Sequence, residues 1–246
     1  MQKSASSYQR FYYSREGWIV KKIIRSHISS LIKSAQPLEV AGLGYTLPYL
    51  DVFKNEICSK VSLMPGTMGG ISWPKGKPNK TAMVTTPGLP LASNSMDMIL
   101  AIHFLEHAEY FDLALKDIYR ALKSNGRLIL IVPNRTSMWA RRDWSPFGHG
   151  RPFSASQIEN ALENALFSVQ NHRNALFMPP VKWRLLLKAA WGFERFGNLI
   201  CPAFGGVHCI DAVKQVYAPV HPAGGTALRV VGGKKGLAPI QQRNDL

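Results

Sequence analysis

The sequence predicts an α/β protein in which a mostly parallel, doubly wound sheet carries helices on both faces. Short apolar strands recur between residues 37 and 133, and the last of them, RLILIVP at 127–133, is apolar throughout. A clear amphipathic helix directly precedes that strand. Continuous apolar strands are typical of parallel sheets, because such sheets are buried on both faces. Strands that alternate with helices indicate an open α/β sheet.

The first predicted element is a basic amphipathic helix over residues 15–33. Apolar side chains recur at helical spacing from Trp18 to Ile32, and lysines and an arginine lie between them. We expect an N-terminal segment, residues 1–35, that packs on the domain through this helix; a helix lying on a membrane surface is the alternative. The residues before the helix contain no apolar stretch of the kind found in a secretory signal.

Strands and helices then alternate through the centre of the chain. A helix is expected over 47–55, after the glycines that end the first strand. A second helix is predicted over 110–126, where apolar residues from Phe111 to Leu122 line one face and Gly126 stands at the C-cap. The predicted strands of this part lie within 37–45, 60–65, 81–86, 96–102 and 127–133.

The C-terminal part predicts two more helices and two more strands. The helices are expected over 154–166, with a serine N-cap, and over 181–200; the strands are expected over 167–179 and 208–219. We therefore predict one domain over residues 36–220. Residues 221–246 are rich in Gly, Lys, Gln and Pro and have little apolar surface to bury, so we expect them to form a disordered tail.

The charge of the chain is its unusual bulk property. Thirty Lys and Arg residues against fifteen Asp and Glu give a formal net charge of +15. The excess lies in residues 1–33 and 113–218, whereas the centre is nearly neutral. This distribution indicates an anionic partner or substrate, such as a nucleic acid, an acidic protein bound through the basic helices, or a phosphorylated metabolite. A role in solubility alone is the alternative.

Two further features bear on the compartment. No apolar run reaches the roughly 20 residues that cross a bilayer, so no transmembrane segment is predicted. The three cysteines form no C-x-x-C pair, and a sparse, odd set of thiols is typical of a reducing environment. We expect a cytoplasmic protein.

The stretch AIHFLEHAEY, residues 101–110, contains His103, Glu106 and His107. As a bare string, H-x-x-E-H is the inverted zinc-protease signature. A zinc site of that kind needs both histidines within one helix and a third ligand further on. This stretch instead leaves a predicted strand, so we predict no metal site and keep zinc binding as the minor alternative.

Three stretches, in this order, resemble a known family: EVAGLGY, LPLASNSMDMILAIHFLEH and IYRALKSNGRLILIVPNR. They are similar to class I S-adenosylmethionine-dependent methyltransferases, and more narrowly to the type 11 methyltransferase domain in an alphaproteobacterial form. The resemblance covers residues 36–135 by motif and continues more loosely to 218. It implies a Rossmann-like domain with a mostly parallel seven-stranded sheet, S-adenosylmethionine as cofactor, and methyl transfer that depends mainly on positioning.

The resemblance also implies where the cofactor lies, over the carboxyl ends of the first strands. The bend at Gly42–Gly44 is expected to open a cleft there. The cofactor-binding residues that the resemblance implies are Gly42, Gly44, Tyr45, Met64, Pro65, Thr86, Leu89 and His103.

A base is needed only where the methyl acceptor loses a proton, and the histidines are the candidates. These candidate catalytic residues are His103, His107 and His149. Asn134 and Arg135 leave the fifth strand at the carboxyl edge of the sheet, and His149 and Arg151 lie in the Gly- and Pro-broken loop that follows. We predict that these four residues contact the substrate, although loop packing or solvation explains them equally well.

The chain departs from the family pattern in its first motif and at its cofactor acids. Thr46 stands where the third glycine is expected, and Glu39 lies one residue too early. No carboxylate follows Met64 at the end of the second strand, where the family holds the ribose hydroxyls. An inactive methyltransferase-like binding partner or scaffold is therefore one alternative, and a basic RNA-binding protein is another.

Overall fold

The computed structural model describes residues 3–32, 37–53, 58–180, 190–200 and 202–215. Within them, seven strands form one sheet in the order β3-β2-β1-β4-β5-β7-β6. The pairs among β1 to β5 are parallel, and β7 runs antiparallel to both β5 and β6. The predicted α/β fold with a mostly parallel seven-stranded sheet is confirmed. The strands are β1 Glu39–Gly44, β2 Ser59–Pro65, β3 Thr81–Val84, β4 Met96–Ile102, β5 Leu122–Pro133, β6 Phe167–Ala175 and β7 Val207–Lys214.

Helices cover both faces of this sheet, which explains why its central strands are apolar throughout. The helices are α1 Ala5–Tyr13, α2 Arg15–Ile32, α3 Phe111–Ala121, α4 Ala155–Asn164 and α5 Ala190–Ile200. One core cluster joins α1 and α2 to the sheet, and the other joins α3 and α4 to the opposite face. No helix in the described part of the chain is long and apolar enough to cross a membrane.

Helix α1 is an element that the sequence analysis missed. Its buried face consists of Ala5, Tyr8, Phe11 and Tyr12, while Tyr13 is 82% exposed. The spacing i, i+3, i+4 of the three buried rings was the available signal. A single residue, Ser14, separates α1 from α2, and its hydroxyl accepts a hydrogen bond from the Gly17 amide.

One predicted helix is only a short turn, and a second predicted helix is present but ends earlier than expected. The predicted helix over 47–55 is a single 3-10 turn, Leu50–Val52, in its described part. The predicted helix over 110–126 ends at Ala121, because the Ser95 amide donates a hydrogen bond to the Ala121 carbonyl and Leu122 pairs with Met96 of β4. Gly126 therefore lies inside β5 rather than at a helix C-cap.

Other predicted elements fall partly outside the described residues. The predicted helix over 181–200 is described only as α5, and nothing describes residues 181–189 or the predicted tail, 221–246. Strand β6 ends at Ala175 and β7 at Lys214, both earlier than predicted. The domain boundaries at 35 and 220 stay predictions.

Gly17 sets how closely α1 approaches α2. A Cβ at this position would lie 1.9 Å from the Phe11 carbonyl oxygen and 2.8 Å from the Tyr12 Cα. We expect Gly17→Ala to lower the free energy of unfolding by about 1–3 kcal/mol, as overpacking commonly does. Urea unfolding checks this, with Gly192→Ala as control, since a Cβ at Gly192 of α5 meets no atom within 4 Å. Equal midpoints for the two variants would contradict this account of the contact.

Candidate functional site

The candidate site lies where β1 and β4 run side by side. After β1 the chain continues to β2 on one side of this pair, and after β4 it continues to β5 on the other side. Open α/β sheets bind their ligands at such a switch point. Gly44 pairs with Ile102, and the next residues are Tyr45 and His103. The Tyr45 amide donates to the Ile102 carbonyl at 2.9 Å, so the turn after β1 is closed against β4.

The two predicted cofactor glycines are explained by packing within the chain. Gly44 has φ +81°, and a Cβ there would lie 2.3 Å from the Ile102 carbonyl oxygen. A Cβ on Gly42 would lie 2.2 Å from the Thr46 hydroxyl oxygen. A side chain at Gly44 would therefore push the turn away from β4, and a side chain at Gly42 would clash with Thr46.

Tyrosines of α1 fill the space over this turn. The Tyr45 ring stacks on Tyr8, with centroids 5.2 Å apart, and on Tyr12, with centroids 5.6 Å apart and planes within 5°. All three rings are buried. The Ala5 amide ties the start of α1 to the Met68 carbonyl at 2.8 Å. The expectation of an open cleft at Gly42–Gly44 is therefore wrong for the crevice between β1 and β4, because an unpredicted helix covers it.

Behind these rings lies a buried histidine–carboxylate pair. His103 Nδ1 is 3.2 Å from Glu106 Oε1, and His103 Nε2 is 2.8 Å from the Tyr12 hydroxyl. A carboxylate only accepts hydrogen bonds, so Nδ1 carries a proton, and in the neutral imidazole Nε2 then accepts from the Tyr12 hydroxyl. Glu106 Oε2 has no hydrogen-bond partner among the described residues, and His103 has φ +54°. Strain and an unsatisfied buried carboxylate oxygen are features that cluster at functional sites.

The other two candidate histidines lie nearby. His107 Nε2 is 2.9 Å from the Tyr8 hydroxyl, and burial lowers the pKa of His107, opposed by the charge of Glu106. His149 Nε2 donates to the Asp143 carbonyl at 2.6 Å. The loop after His149 closes on the same region, since a Cβ on Gly150 would lie 2.9 Å from His107 Nδ1.

The predicted substrate residues occupy different environments. The Asn134 amide donates to the carbonyls of Ala203 and Gly205, and its oxygen accepts from Thr136, so this buried side chain holds the segment before β7. Arg135 and Arg151 are exposed, and Arg151 donates its amide to the Glu106 carbonyl at 2.7 Å. The structure therefore uses Asn134 for packing and leaves both guanidinium groups at the surface.

The remaining predicted cofactor residues do not meet in one place. Met64 and Pro65 are buried at the end of β2, in the region that α1 covers. Thr86 lies in the loop after β3. Leu89 belongs to the core on the opposite face, where Asp117 accepts its amide hydrogen at 2.8 Å.

An open cavity of about 470 Å³ adjoins the filled crevice. Its walls are α1, α2 and the loops that leave β1 and β2, so it also lies at the carboxyl edge of the sheet. Five aromatic side chains and three charged ones line it: Tyr12, Tyr13, Trp18, Tyr45 and Trp73, with Lys21, Asp51 and Lys75. Tyr12 and Tyr45 form the boundary between this cavity and the crevice.

The cofactor that the sequence motifs imply fits one of these two spaces. It does not fit the crevice, since Tyr8, Tyr12 and Tyr45 fill that space and the Tyr45 amide is already bonded. The cavity is within the range of about 300–1,000 Å³ that is usual for ligand sites. It offers aromatic faces for a purine, one carboxylate for hydroxyl groups and two ammonium groups for a carboxylate. The residues of the cavity therefore fit an adenosyl amino acid.

Apart from Tyr45, sequence reasoning missed the residues that build these spaces. Tyr8 and Tyr12 were missed with the helix that carries them, and Trp73 lies in a Gly/Pro-rich connection that carried no motif. Asp51 falls within the helix predicted over 47–55. On the metal alternative, the described residues contain no group of three or more His, Cys, Asp or Glu side chains placed to hold an ion.

Comparison with known families gives one clear match. A family model described as "Methyltransferase domain" matches residues 41–172, which is more than half of the chain. Among curated proteins, an uncharacterized protein (MJ0638) of Methanocaldococcus jannaschii is 44% identical over 72 residues. That match covers 29% of this chain and 32% of the relative.

The fold is similar to solved methyltransferase structures. A SAM-dependent methyltransferase from Archaeoglobus fulgidus matches with TM-score 0.57 and 21% identity, over 84% of this chain and 97% of that one. A possible histamine N-methyltransferase from Thermotoga maritima matches with TM-score 0.56 and 18% identity, over 85% and 95%. A Haloferax volcanii complex of the Trm112 methyltransferase activator with a putative methyltransferase matches with TM-score 0.57 and 15% identity, over 83% and 95%. At these identities the likeness concerns the fold.

The hydrogen bond between Tyr12 and His103 can be tested by its effect on stability. Tyr12→Phe keeps the stacked ring but leaves the buried His103 Nε2 without its donor. We expect the free energy of unfolding to fall by about 1–3 kcal/mol, the usual cost of an unsatisfied buried polar group. Urea unfolding measures this change.

The matched control is Tyr13→Phe on the same helix, because Tyr13 is 82% exposed. We expect that variant to unfold like the unmodified chain. If Tyr12→Phe also leaves the midpoint unchanged, His103 Nε2 does not depend on the Tyr12 hydroxyl.

Proposed function

Because this chain belongs to the methyltransferase-domain family, we propose that it is an active methyltransferase for an acceptor that remains to be identified. S-adenosylmethionine is the cofactor that the family and the fold imply. When bound, it supplies a methyl group on a sulfonium and leaves as a neutral thioether. The contribution of the protein is then mainly to align the acceptor and exclude water.

The observation that carries this proposal is the cavity at the carboxyl edge of the sheet, beside the switch point of β1 and β4. Parallel α/β sheets bind ligands at this edge. The cavity combines aromatic faces with a carboxylate and two ammonium groups, which suits a nucleoside joined to an amino acid. The closed turn at Gly42–Gly44 and the buried Met64 and Pro65 support the wall of this site rather than touching the ligand.

We assign the role of base, where the acceptor must lose a proton, to His103. Glu106 fixes its Nδ1–H tautomer, and its Nε2 faces the Tyr12 hydroxyl. Because Tyr12 also lines the cavity, the proton of the acceptor would reach the buried His103 through the Tyr12 hydroxyl. His107 and His149 are the other candidates. Burial lowers the pKa of His107, so its imidazole is in the neutral form near pH 7 and is a weaker base than an exposed histidine.

The exposed guanidinium groups of Arg135 and Arg151 suit an acceptor with a carboxylate or phosphate, because they bind such groups with two parallel hydrogen bonds. This role agrees with the anionic substrate that the charge of the chain predicts. The cytoplasmic location stays a prediction.

A second candidate function is a non-catalytic binding partner, and the filling of the crevice by α1 favours it. Such a protein would use the basic surface of α1 and α2, which carries Arg10, Lys21, Lys22 and Arg25, to bind an acidic partner. The methyltransferase of the Haloferax volcanii complex assembles with an activator protein, so assembly is compatible with either candidate function.

Calorimetric titration separates the two candidates. We expect S-adenosylmethionine and S-adenosylhomocysteine each to bind at one saturable site per chain. We also expect both to raise the melting temperature, because ligands that bind only the folded state stabilise it by mass action. No heat and no thermal shift at millimolar concentration, from a chain that is folded by circular dichroism, would contradict the enzyme proposal and favour the scaffold.

A further inference from the structure

We infer that Asp51 supplies the carboxylate that holds the ribose hydroxyls of the cofactor, from the turn after β1 instead of the end of β2. This inference rests on the proposed function, since it concerns the same ligand. It adds a binding residue that neither the motifs nor the fold assigns. The end of β2 cannot serve, because Met64, Pro65 and Gly66 offer no carboxylate there.

The crevice between β1 and β4 is not available to the adenosyl group. Three buried tyrosine rings stack there, and the hydroxyls of Tyr8 and Tyr12 are each bonded to a histidine. A ligand in this space would expose those rings and break both hydrogen bonds. The neighbouring cavity needs no such displacement, so the ligand is expected on the cavity side of Tyr12 and Tyr45.

Asp51 is the only acidic residue that lines this cavity in the described part of the chain. It lies in the 3-10 turn Leu50–Val52, which starts just after β1 and is tied to the Thr46 carbonyl by the Tyr49 and Leu50 amides. Arg25 donates to the backbone carbonyl of Asp51 at 3.4 Å and not to the carboxylate of Asp51. No described hydrogen bond or ion pair occupies that carboxylate, so both oxygens can accept from a ribose diol.

The second requirement of the ligand is a flat aromatic face for the purine, and Trp73 in the lining of the cavity provides it. The Trp73 amide donates to the Asn79 side chain at 3.2 Å, and the Lys80 amide donates to the Trp73 carbonyl at 2.6 Å. These two bonds fix the backbone of the loop that carries the indole. Lys21 and Lys75, which also line the cavity, suit the carboxylate of the amino-acid part.

Two simpler classes of ligand match the lining of the cavity less well. An amino acid alone would leave the aromatic lining without a partner, and a phosphorylated nucleotide would bring several negative charges toward Asp51. A neutral nucleoside joined to an amino acid satisfies the aromatic faces, the carboxylate and both ammonium groups at once. The lining therefore favours an adenosyl amino acid over a nucleotide.

The test is the affinity of the full-length chain for S-adenosylhomocysteine and for its 2′-deoxy analogue, measured by calorimetry. We expect Asp51→Asn to weaken S-adenosylhomocysteine about ten- to a hundredfold, as the loss of a charge-assisted hydrogen-bonded pair does. The unmodified chain should bind the deoxy analogue at least about tenfold more weakly than the parent ligand. Asp51→Asn should bind the two ligands almost equally, since the partner of the missing hydroxyl is then gone.

Asp112→Asn is the matched control, because Asp112 is an exposed aspartate of α3, and α3 packs on the opposite face of the sheet. Its affinities should equal those of the unmodified chain. Asp51 is exposed, so Asp51→Asn should keep the melting temperature without ligand, which separates lost binding from lost folding.

Two results would overturn the inference in distinguishable ways. If Asp51→Asn binds S-adenosylhomocysteine within twofold of the unmodified chain and still discriminates against the deoxy analogue, another group holds the ribose and the proposed function stands. If the unmodified, folded chain binds neither ligand, the proposed function fails and the inference fails with it.

Discussion

The arrangement of the site depends on the close contact between the turn after β1 and the end of β4. Gly44 adopts φ +81° and lets the Tyr45 amide reach the Ile102 carbonyl. This contact fixes Tyr45 as the platform on which Tyr8 and Tyr12 stack. It also sets the backbone from which His103 leaves β4 with φ +54°. The glycine, the aromatic stack and the strained histidine are therefore consequences of one backbone approach.

Burying the polar His103–Glu106 pair costs free energy, and contacts with helix α1 offset this cost. A buried carboxylate with one unsatisfied oxygen opposes folding, and without Tyr12 the Nε2 of His103 would be a second unpaired polar atom. The rings of Tyr8 and Tyr12 bury apolar surface over the same pair, and this burial stabilises the fold. Helix α1 thus completes the core at the place where the sheet alone would leave polar groups exposed.

The sequence predicted the sheet well because buried parallel strands are apolar throughout, and this pattern does not depend on distant residues. The strand that ends at Ile102 and the strand that ends at Pro133 are examples. Contacts between distant segments could not be predicted: the end of α3 depends on the pairing of Leu122 with Met96, and the crevice is filled by residues about 90 positions earlier in the chain. The histidines were identified by their motif, whereas Tyr12 and Asp51 follow no motif.

The missing acid after β2 has a physical explanation in this packing. With Met64 fully buried beneath α1 and joined to the same core cluster as Tyr8 and Tyr45, a carboxylate at that position would lie in an apolar environment without a partner. Its desolvation would oppose folding. A carboxylate one turn after β1, at Asp51, stays in water and still faces a cavity at the same edge of the sheet. Because α1 covers the strand ends, the carboxylate that we propose for the ligand lies on an exposed turn instead of at the end of a strand.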